Sequence, residues 1–556
     1  MATNHRTGGQ LLVDTLANQG ADLAFCIPGE SYLAALDALY DQPSIRLITC
    51  RQEGGATMMA EAYGKLTGKP GICFVTRGPG ATNASPGLHI AHQDSSPLIL
   101  FIGQVGRDQV DREAFQEIDY RRMFGEVTKA TWQIEDAARM PEYVSRAWHT
   151  AIAGRPGPVA LALPEDMLRD PAEGGVGTPA AAPEIAPMAA DVARLADLLA
   201  KAERPLMIVG GARWSQDVAD RLAAFAVAND LPVATSFRCQ DFIDNLSPAY
   251  AGVAGIAPDP ELIQRIRHAD LLITVGARLG EMTTGRYTHV DIPRPKQTLV
   301  HVHPDPEEIG RVYQTDLGMV ATPAGFAAAV EGMKVRADSG LTAAAHARYL
   351  DWTTPIPMAG DVQMAEIIHD ITTNLPPDTI VTNGGGNCTV WVHRFMRHQR
   401  YRTQLAPTSG SMGYGVPSAV TAKLVHPDRH VISFSGDGCF LMNGQEFATA
   451  VQYGLPVVFV VVNNGMYGTI RMHQERDYTG REIATALTNP DFAALARAYG
   501  AEGHVVTRTE EFRPALDRAL AAAGPSLIEI RVDPDVLSPT TTISGLRAQA
   551  AKTTQG

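Results

Sequence analysis

An aspartate between two glycines, Gly436-Asp437-Gly438, follows the apolar run HVISFS, and an amide pair, Asn463-Asn464, follows PVVFVVV. Twenty-four residues, Cys439 to Val462, separate the two motifs. The chemistry open to such a pair is metal-assisted phosphate binding. A carboxylate and an amide oxygen are hard ligands, and Mg²⁺ takes one or two protein oxygens together with phosphate oxygens and water. Glycine lets the backbone approach a phosphate closely, and a helix opening in CFLMNGQEFATAV would turn its first N–H groups on the anion. A solitary GDG is most simply a tight turn; the second motif, also at the end of an apolar run, favours the metal–diphosphate reading. Another acid, Glu53, stands between the apolar run IRLITC and the helical stretch GATMMAEAYGKLTG. Taken alone it is a cap that suits a helix dipole. Three glycine-rich segments complete the candidates: TRGPGATNASPG (76–87), GGGNCTVW (384–391) and TSGSMGYGVPSA (408–419). A Met in such a loop is often only a gap-filler.

The elements that must position these residues are short apolar or β-branched runs alternating with helical stretches. In the first block these are 21–28, 45–50, 71–76, 97–103 and 158–164, with helices expected over 31–40 and 55–68. Continuous apolar strands between helices indicate parallel sheets covered on both faces. The grammar returns at 204–211, 231–237, 269–277 and 298–304, and again at 378–386, 430–438, 456–464 and 526–534. The expected organisation is therefore α/β, with three doubly wound parallel-sheet domains at 1–170, 191–340 and 361–535. A Pro, Gly and Ala-rich linker occupies 171–190, and a polar tail, a lid or a frayed end, occupies 536–556. The three blocks read as one architecture used three times.

Composition excludes whole classes. Of 556 residues 45% are apolar and 19% charged, an ordinary globular balance, so disorder and fibrous structure are ruled out. The formal charge of −13 has the wrong sign for a non-specific nucleic-acid binder. No apolar run is long enough to span a membrane, and the N-terminus shows no signal pattern, so the mature chain is expected to begin at Met1. Six scattered cysteines without a CxxC pair read as reduced and mostly buried, which suits a cytoplasmic enzyme.

With these motifs assembled, the chain resembles the thiamine-diphosphate (ThDP) enzymes, over roughly residues 8 to 535. The resemblance implies that Asp437, Asn464 and the backbone carbonyl of Met466 hold Mg²⁺, which bridges the cofactor's diphosphate beside Gly436 and Gly438. It implies that the Glu53 carboxyl meets N1′ of the aminopyrimidine and drives the proton relay that activates the thiazolium C2. The three blocks become the pyrimidine-binding, central and diphosphate-binding domains, and the active unit becomes a homodimer or homotetramer.

Within the family the segments are similar to those of the acetolactate (acetohydroxyacid) synthase branch. There Met412 would wedge the bent cofactor while Gly410 and Met412 hold the pyrimidine edge, and Pro79 and Asn83 would line its other side. Asn387, Cys388 and Thr389 would face the diphosphate, although the family usually shows Gln and His where Asn387 and Cys388 stand. REAFQEIDYRRMFGEVTKATW (112–132) matches the branch's AFQE…TK pattern, which would place Phe115 and Gln116 at the reacting carbon and Lys129 near the substrate entrance. His89 and His92 default to helix-surface histidines.

Three departures stand beside these matches. Met282 occupies the position of an Arg that grips an acceptor carboxylate, and His473 that of a Trp that selects the acceptor. The loop that helps hold FAD is not recognisable in AGVAGIAPDPELI (251–263), although Gly210-Gly211, Arg278 and HVHPDPEE (301–308) resemble parts of its cradle; FAD stays open. The reading is an acetolactate synthase-like ThDP- and Mg²⁺-dependent enzyme. It would decarboxylate a 2-oxo acid, pyruvate foremost, and ligate the fragment to a carbonyl acceptor, with small molecules as its partners. The rivals are a 2-oxo acid decarboxylase or carbon–carbon lyase, an acyl-CoA-type decarboxylase or lyase, and a catalytically silent ThDP-fold subunit. Retention of Glu53, Asp437 and Asn464 together counts against the last.

Overall fold

Eighteen strands form three six-stranded sheets in the computed structural model, which describes residues 6–554. The first residues, on which the expectation about a signal pattern bears, and the last two of the tail lie outside the described residues. The N-terminal sheet comprises β1 (Leu23–Cys26), β2 (Arg46–Thr49), β3 (Gly71–Val75), β4 (Leu98–Gln104), β5 (Ala130–Gln133) and β6 (Pro158–Pro164), in the order 2-1-3-4-6-5. The central sheet comprises β7 (Pro205–Val209), β8 (Val233–Thr235), β9 (Tyr250–Val253), β10 (Leu271–Val275), β11 (Thr298–His303) and β12 (Leu317–Val320), in the order 9-8-7-10-11-12. The C-terminal sheet comprises β13 (Ile380–Asn383), β14 (Gln404–Leu405), β15 (Val431–Gly436), β16 (Val458–Asn463), β17 (Glu502–Val506) and β18 (Ser526–Arg531), in the order 14-13-15-16-18-17.

Pairing within all three sheets is parallel. The fold class is thus α/β with three doubly wound sheets. The outer blocks share one strand order, but the central one differs, so the expectation of a single architecture used three times is corrected. Its order, counted from its own first strand, is 3-2-1-4-5-6, that of a dinucleotide fold. A shared hydrophobic grammar specifies buried parallel strands; it does not specify the sequence in which they are laid side by side.

Two compact units emerge from the packing. One holds residues to 183 with 407–427 and 443–453; the other holds 184–406, 428–442 and the chain from 454 on. Each sheet buries its inner strands except for end residues such as Thr298 and Arg531, and the large aromatic side chains Phe74, Phe101 and Phe434 have no exposure. The tail is ordered more than expected: Val536–Ser538 pairs with Thr541–Thr542, and Ile543–Thr554 is a helix. Arg547 on that helix donates to the buried Glu475 at 3.0 and 2.6 Å, an anchor that polarity alone does not reveal.

Candidate active site

In the first unit, α1 (Glu53–Thr67) begins on Glu53 itself. Gln52 caps it, its side chain accepting from the Gly55 N–H at 3.0 Å. The entry turn is also held by Glu446, a fully buried acid whose Oε1 accepts from the N–H groups of Arg51 and Gln52, both at 2.9 Å. Burial pushes the Glu446 carboxyl above its ordinary range, and these bonds pull the other way. Gly55 permits this approach, since a Cβ there would lie 2.7 Å from Glu446 Oε1. Nothing in the sequence reading singled out Glu446.

The second wall is α2 (Gly78–Asp94), which carries Pro79 and Asn83. Asn83 Nδ2 donates to Glu53 Oε2 at 3.0 Å. The segment with Phe115 and Gln116 packs on the start of α2: the Tyr120 hydroxyl accepts from the Gly78 N–H at 3.0 Å, and a Cβ on Gly78 would strike the Gln116 carbonyl at 2.8 Å. Phe115 is 72% exposed, with the Arg77 guanidinium 5.9 Å from its ring centre. The Lys129 ammonium donates to the carbonyls of Ala153 and Arg155 at 2.7 and 2.8 Å.

The loop with Gly410 and Met412 is anchored at both ends within this unit. Thr408 N donates to Asp94 at 2.8 Å, and the Tyr414 hydroxyl donates to the buried Glu61. Gly413 O accepts from Asn443 Nδ2 at 3.2 Å. Between the anchors Gly410 takes φ +65°, a conformation that glycine adopts without strain. Met412 is half-buried.

The second unit carries the diphosphate-side residues. Asp437 is 2% exposed and stands where β15 ends. Its Oδ1 accepts from the Gly438 N–H at 2.9 Å, and its Oδ2 accepts from the Gly465 N–H at 2.9 Å and from Asn489 Nδ2 at 2.7 Å. Burial raises its affinity for a proton; a bound cation would offset the same desolvation cost. Asn464 Oδ1 accepts from the Met466 N–H at 3.2 Å, and the Met466 carbonyl accepts from the Gly468 N–H at 2.9 Å. A carbonyl has a second lone pair to offer. Gly438 is required by close packing, because a Cβ there would sit 2.6 Å from the Tyr467 ring.

Asn489 is a second residue that the sequence did not single out. Segment 485–487 pairs with 465–467 through Tyr467 N to Thr485 O and Leu487 N to Gly465 O, which delivers Asn489 to the carboxylate. Its Oδ1 is buried without a hydrogen-bond partner. A buried carboxylate just past the end of β15, with the Asn464 amide oxygen and the Met466 carbonyl just past the end of β16, fits Mg²⁺. The donor set is one acid plus neutral oxygens, and among the described residues no cluster of three His, Cys, Asp or Glu offers another metal site.

Opposite β15, the strand β13 leads into Gly384–Gly386 and the helix α3 (Cys388–Phe395). Cys388 Sγ would lie 3.6 Å from a Cβ on Gly436, so the two turns are in contact. Burial pushes the Cys388 thiol up, which keeps it neutral. Thr389 Oγ1 donates to the Gly386 carbonyl at 2.8 Å, and Asn387 Oδ1 accepts from Thr469 Oγ1 at 2.8 Å. Thr469 lies on α4 (Gly468–Asp477), the helix of His473. His473 is half-buried, and its Nδ1 is buried without a hydrogen-bond partner.

The groups that resemble a flavin cradle are engaged inside the protein. A Cβ on Gly211 would meet Gly276 O at 2.0 Å, Trp214 Nε1 donates to Gly210 O at 2.8 Å, and Arg278 pairs with the buried Glu308 at 3.3 Å. These glycines are held by strand-end packing and Arg278 by its ion pair.

Comparison with known proteins agrees with the geometry. Residues 6–123 match the family described as "Thiamine pyrophosphate enzyme, N-terminal TPP binding domain", 192–330 its central domain, and 384–530 its C-terminal TPP binding domain. The chain is 34% identical over 544 residues to an acetolactate synthase large subunit of Parasynechococcus marenigrum, covering 95% of this chain and 87% of that protein. It is 31% identical to the acetolactate synthase isozyme 2 large subunit of Escherichia coli, covering 95% of each. It is 30% identical to a probable acetolactate synthase large subunit of Methanocaldococcus jannaschii, covering 95% of this chain and 92% of that protein. With all three domains matched in order and the two acids, Glu53 and Asp437, seated at the ends of their strands, the chain belongs to the thiamine-diphosphate-dependent enzymes, in their acetolactate synthase-like branch.

Proposed function

We propose that this enzyme decarboxylates pyruvate and joins the fragment to an uncharged carbonyl acceptor, with thiamine diphosphate and Mg²⁺ as cofactors. The observation that carries the cofactor reading is Asp437, a buried acid just past the end of β15, with the neutral oxygens of Asn464 and Met466 just past the end of β16. Bound thiamine diphosphate supplies the carbon nucleophile. Asp437, Asn464 and the Met466 carbonyl would hold the metal, while Gly436, Gly438 and the Gly384–Gly386 turn with Asn387, Cys388 and Thr389 would receive the diphosphate. Asn83 donates to Glu53 Oε2, which makes that oxygen the accepting one and leaves Oε1 to hold and pass the proton. Pro79, Gly410 and Met412 would frame the pyrimidine, and Phe115 and Gln116 would exclude water from the reacting carbon.

Support for an uncharged acceptor comes from the second unit. Met282 is half-buried and apolar where a guanidinium would pair with a carboxylate. Arg278 is paired with the buried Glu308. His473 Nδ1 is free to donate to an acceptor carbonyl. No step is routed through a flavin. We further propose a homodimer or homotetramer placed in the cytoplasm; the six buried thiols without a disulfide suit a reducing compartment.

The test is incubation of the ThDP- and Mg²⁺-loaded protein with a panel of 2-oxo acids, with and without aldehyde, ketone and 2-oxo acid acceptors, followed by product analysis. Cross-products with neutral acceptors are expected. Free aldehyde as the sole product would make it a simple decarboxylase, and turnover confined to acyl-CoA substrates would make it a lyase of that class.

A further inference from the structure

Arg238 stands just beyond the carboxyl end of β8, in the left-handed region at φ +66°, and is 5% exposed. Its guanidinium lies 5.0 Å from the Phe237 ring centre and reaches out of the central sheet's loop to the end of β13. There one Nη donates to Asn383 Oδ1 and the other to the Gly384 carbonyl, the latter at 3.0 Å. Both acceptors are buried, and they immediately precede the turn Gly384–Gly386 and α3.

Two consequences follow from elementary chemistry. A guanidinium has donors only, so it can face the oxygen of an amide and never the NH₂ group. Arg238 therefore fixes the flip of Asn383, and the amide nitrogen is turned away from it. That nitrogen is buried, in a side chain 1% exposed, and has no hydrogen-bond partner in the structure. In a trans peptide the C=O and the following N–H point in opposite directions. Holding the Gly384 carbonyl thus aims the Gly385 N–H away from the guanidinium as well. An unsatisfied buried donor is costly unless an acceptor arrives to meet it, and the acceptor that the turn is read to receive is a diphosphate.

We propose that Arg238 is a positioning residue for the diphosphate: it orients the Asn383 amide nitrogen and the Gly385 N–H as anion donors and brings a fixed positive charge behind the turn. Cys388 and His393 both feel that charge: at Cys388 it works against the larger effect of burial, which raises the thiol, and at His393 it adds to the larger effect of burial, which lowers the imidazole. The inference rests on the reading of this turn as the diphosphate seat. It adds a residue from the central sheet to a site otherwise built at the ends of β13, β15 and β16.

The experiment titrates the metal-supplemented apoprotein with ThDP and, separately, with inorganic pyrophosphate, by calorimetry, for the wild type and for Arg238→Met, Arg238→Lys and Asn383→Asp. Arg238→Met should weaken both ligands at least about tenfold, the scale of one lost charge-assisted contact. Arg238→Lys, a point charge without the fork, should fall between it and the wild type. Asn383→Asp keeps the partner of Arg238 but removes the amide nitrogen, so pyrophosphate affinity should drop at least about tenfold with the melting temperature of the apoprotein retained. A merely structural pin would do the reverse, lowering the melting temperature in Arg238→Met while pyrophosphate binds within about twofold of wild type in every folded variant; that result overturns the proposal. Should Arg238→Met not fold, Asn383→Asp decides alone. A wild type that takes up no ThDP overturns the reading of the turn and this inference with it, whereas wild-type uptake with unaltered variants overturns this inference only.

Discussion

Single side chains account for both the cofactor site and its selectivity. Asp437 is the one acid in the set that would hold Mg²⁺, so Asp437→Ala should abolish Mg²⁺-dependent ThDP binding, measured by calorimetry; unchanged affinity would remove the assignment. Met282 is proposed to govern which acceptor enters opposite the nucleophile. An unpaired carboxylate in a desolvated pocket costs several kcal/mol, and a charge-assisted hydrogen bond returns about 1.5–3 kcal/mol. Met282→Arg should therefore raise the use of pyruvate as acceptor about tenfold or more relative to an aldehyde, read as the product ratio in competition. Rapid acetolactate formation by the wild type with no gain from an added aldehyde would contradict this. Asp437 and Asn464 stood out because two such motifs each end an apolar run at one interval, whereas Glu53, a cap when taken alone, was singled out by the family resemblance. Asn489 and Glu446 did not stand out, since each works through contacts with residues 26 or more positions away.

Elements show where hydrophobic grammar fails. Thirteen of the eighteen strands lie in the apolar runs, and the five that do not (β5, β9, β12, β14 and β17) are all at sheet edges. An edge strand pairs on one side only and is partly exposed, so it lacks the continuous apolar run of a buried one. Between elements, two buried acids do the holding. Glu446 accepts from the turn that starts α1, and Glu446→Ala should cost about 1–3 kcal/mol by removing the acceptor of the Arg51 and Gln52 N–H groups, whereas Glu446→Gln keeps an acceptor and should cost far less; paired thermal melts check this. Asp241, past the end of β8, accepts from the N–H groups of Thr403 and Gln404 at 3.0 and 3.2 Å, and burial raises it from 3.8 to about 6. A raised acid binds its proton more tightly in the folded state. Its contribution is therefore complete below about pH 4 and is lost as pH rises through about 6, a swing of about 3 kcal/mol. Asp241→Asn should remove that dependence. The melting temperature of the variant relative to wild type should rise between pH 4 and pH 7, and a pH-independent difference would refute the shift.

For the whole molecule the central question is how many chains make one site. Glu53 and Asp437 belong to different compact units, and the family resemblance puts the pair that serves one cofactor on two subunits. Mixing Glu53→Gln chains with Asp437→Ala chains should then restore up to about a quarter of wild-type activity if subunits exchange freely, as half the dimers are mixed and each holds one intact site. Mixed dimers that form and stay inactive would rule out a shared site.

By itself the sequence determined the class of the fold and the motifs at the ends of β15 and β16, because burial of parallel strands and phosphate chemistry both restrict residue types locally. Only the tertiary structure decided the strand order of the central sheet, the docking of the C-terminal helix on Glu475, the support of the Glu53 turn by Glu446, and the reach of Arg238 to Asn383. Each of these is a pairing between distant segments whose partners carry no local pattern. A buried acid or guanidinium is specified by what it must face once the chain has folded.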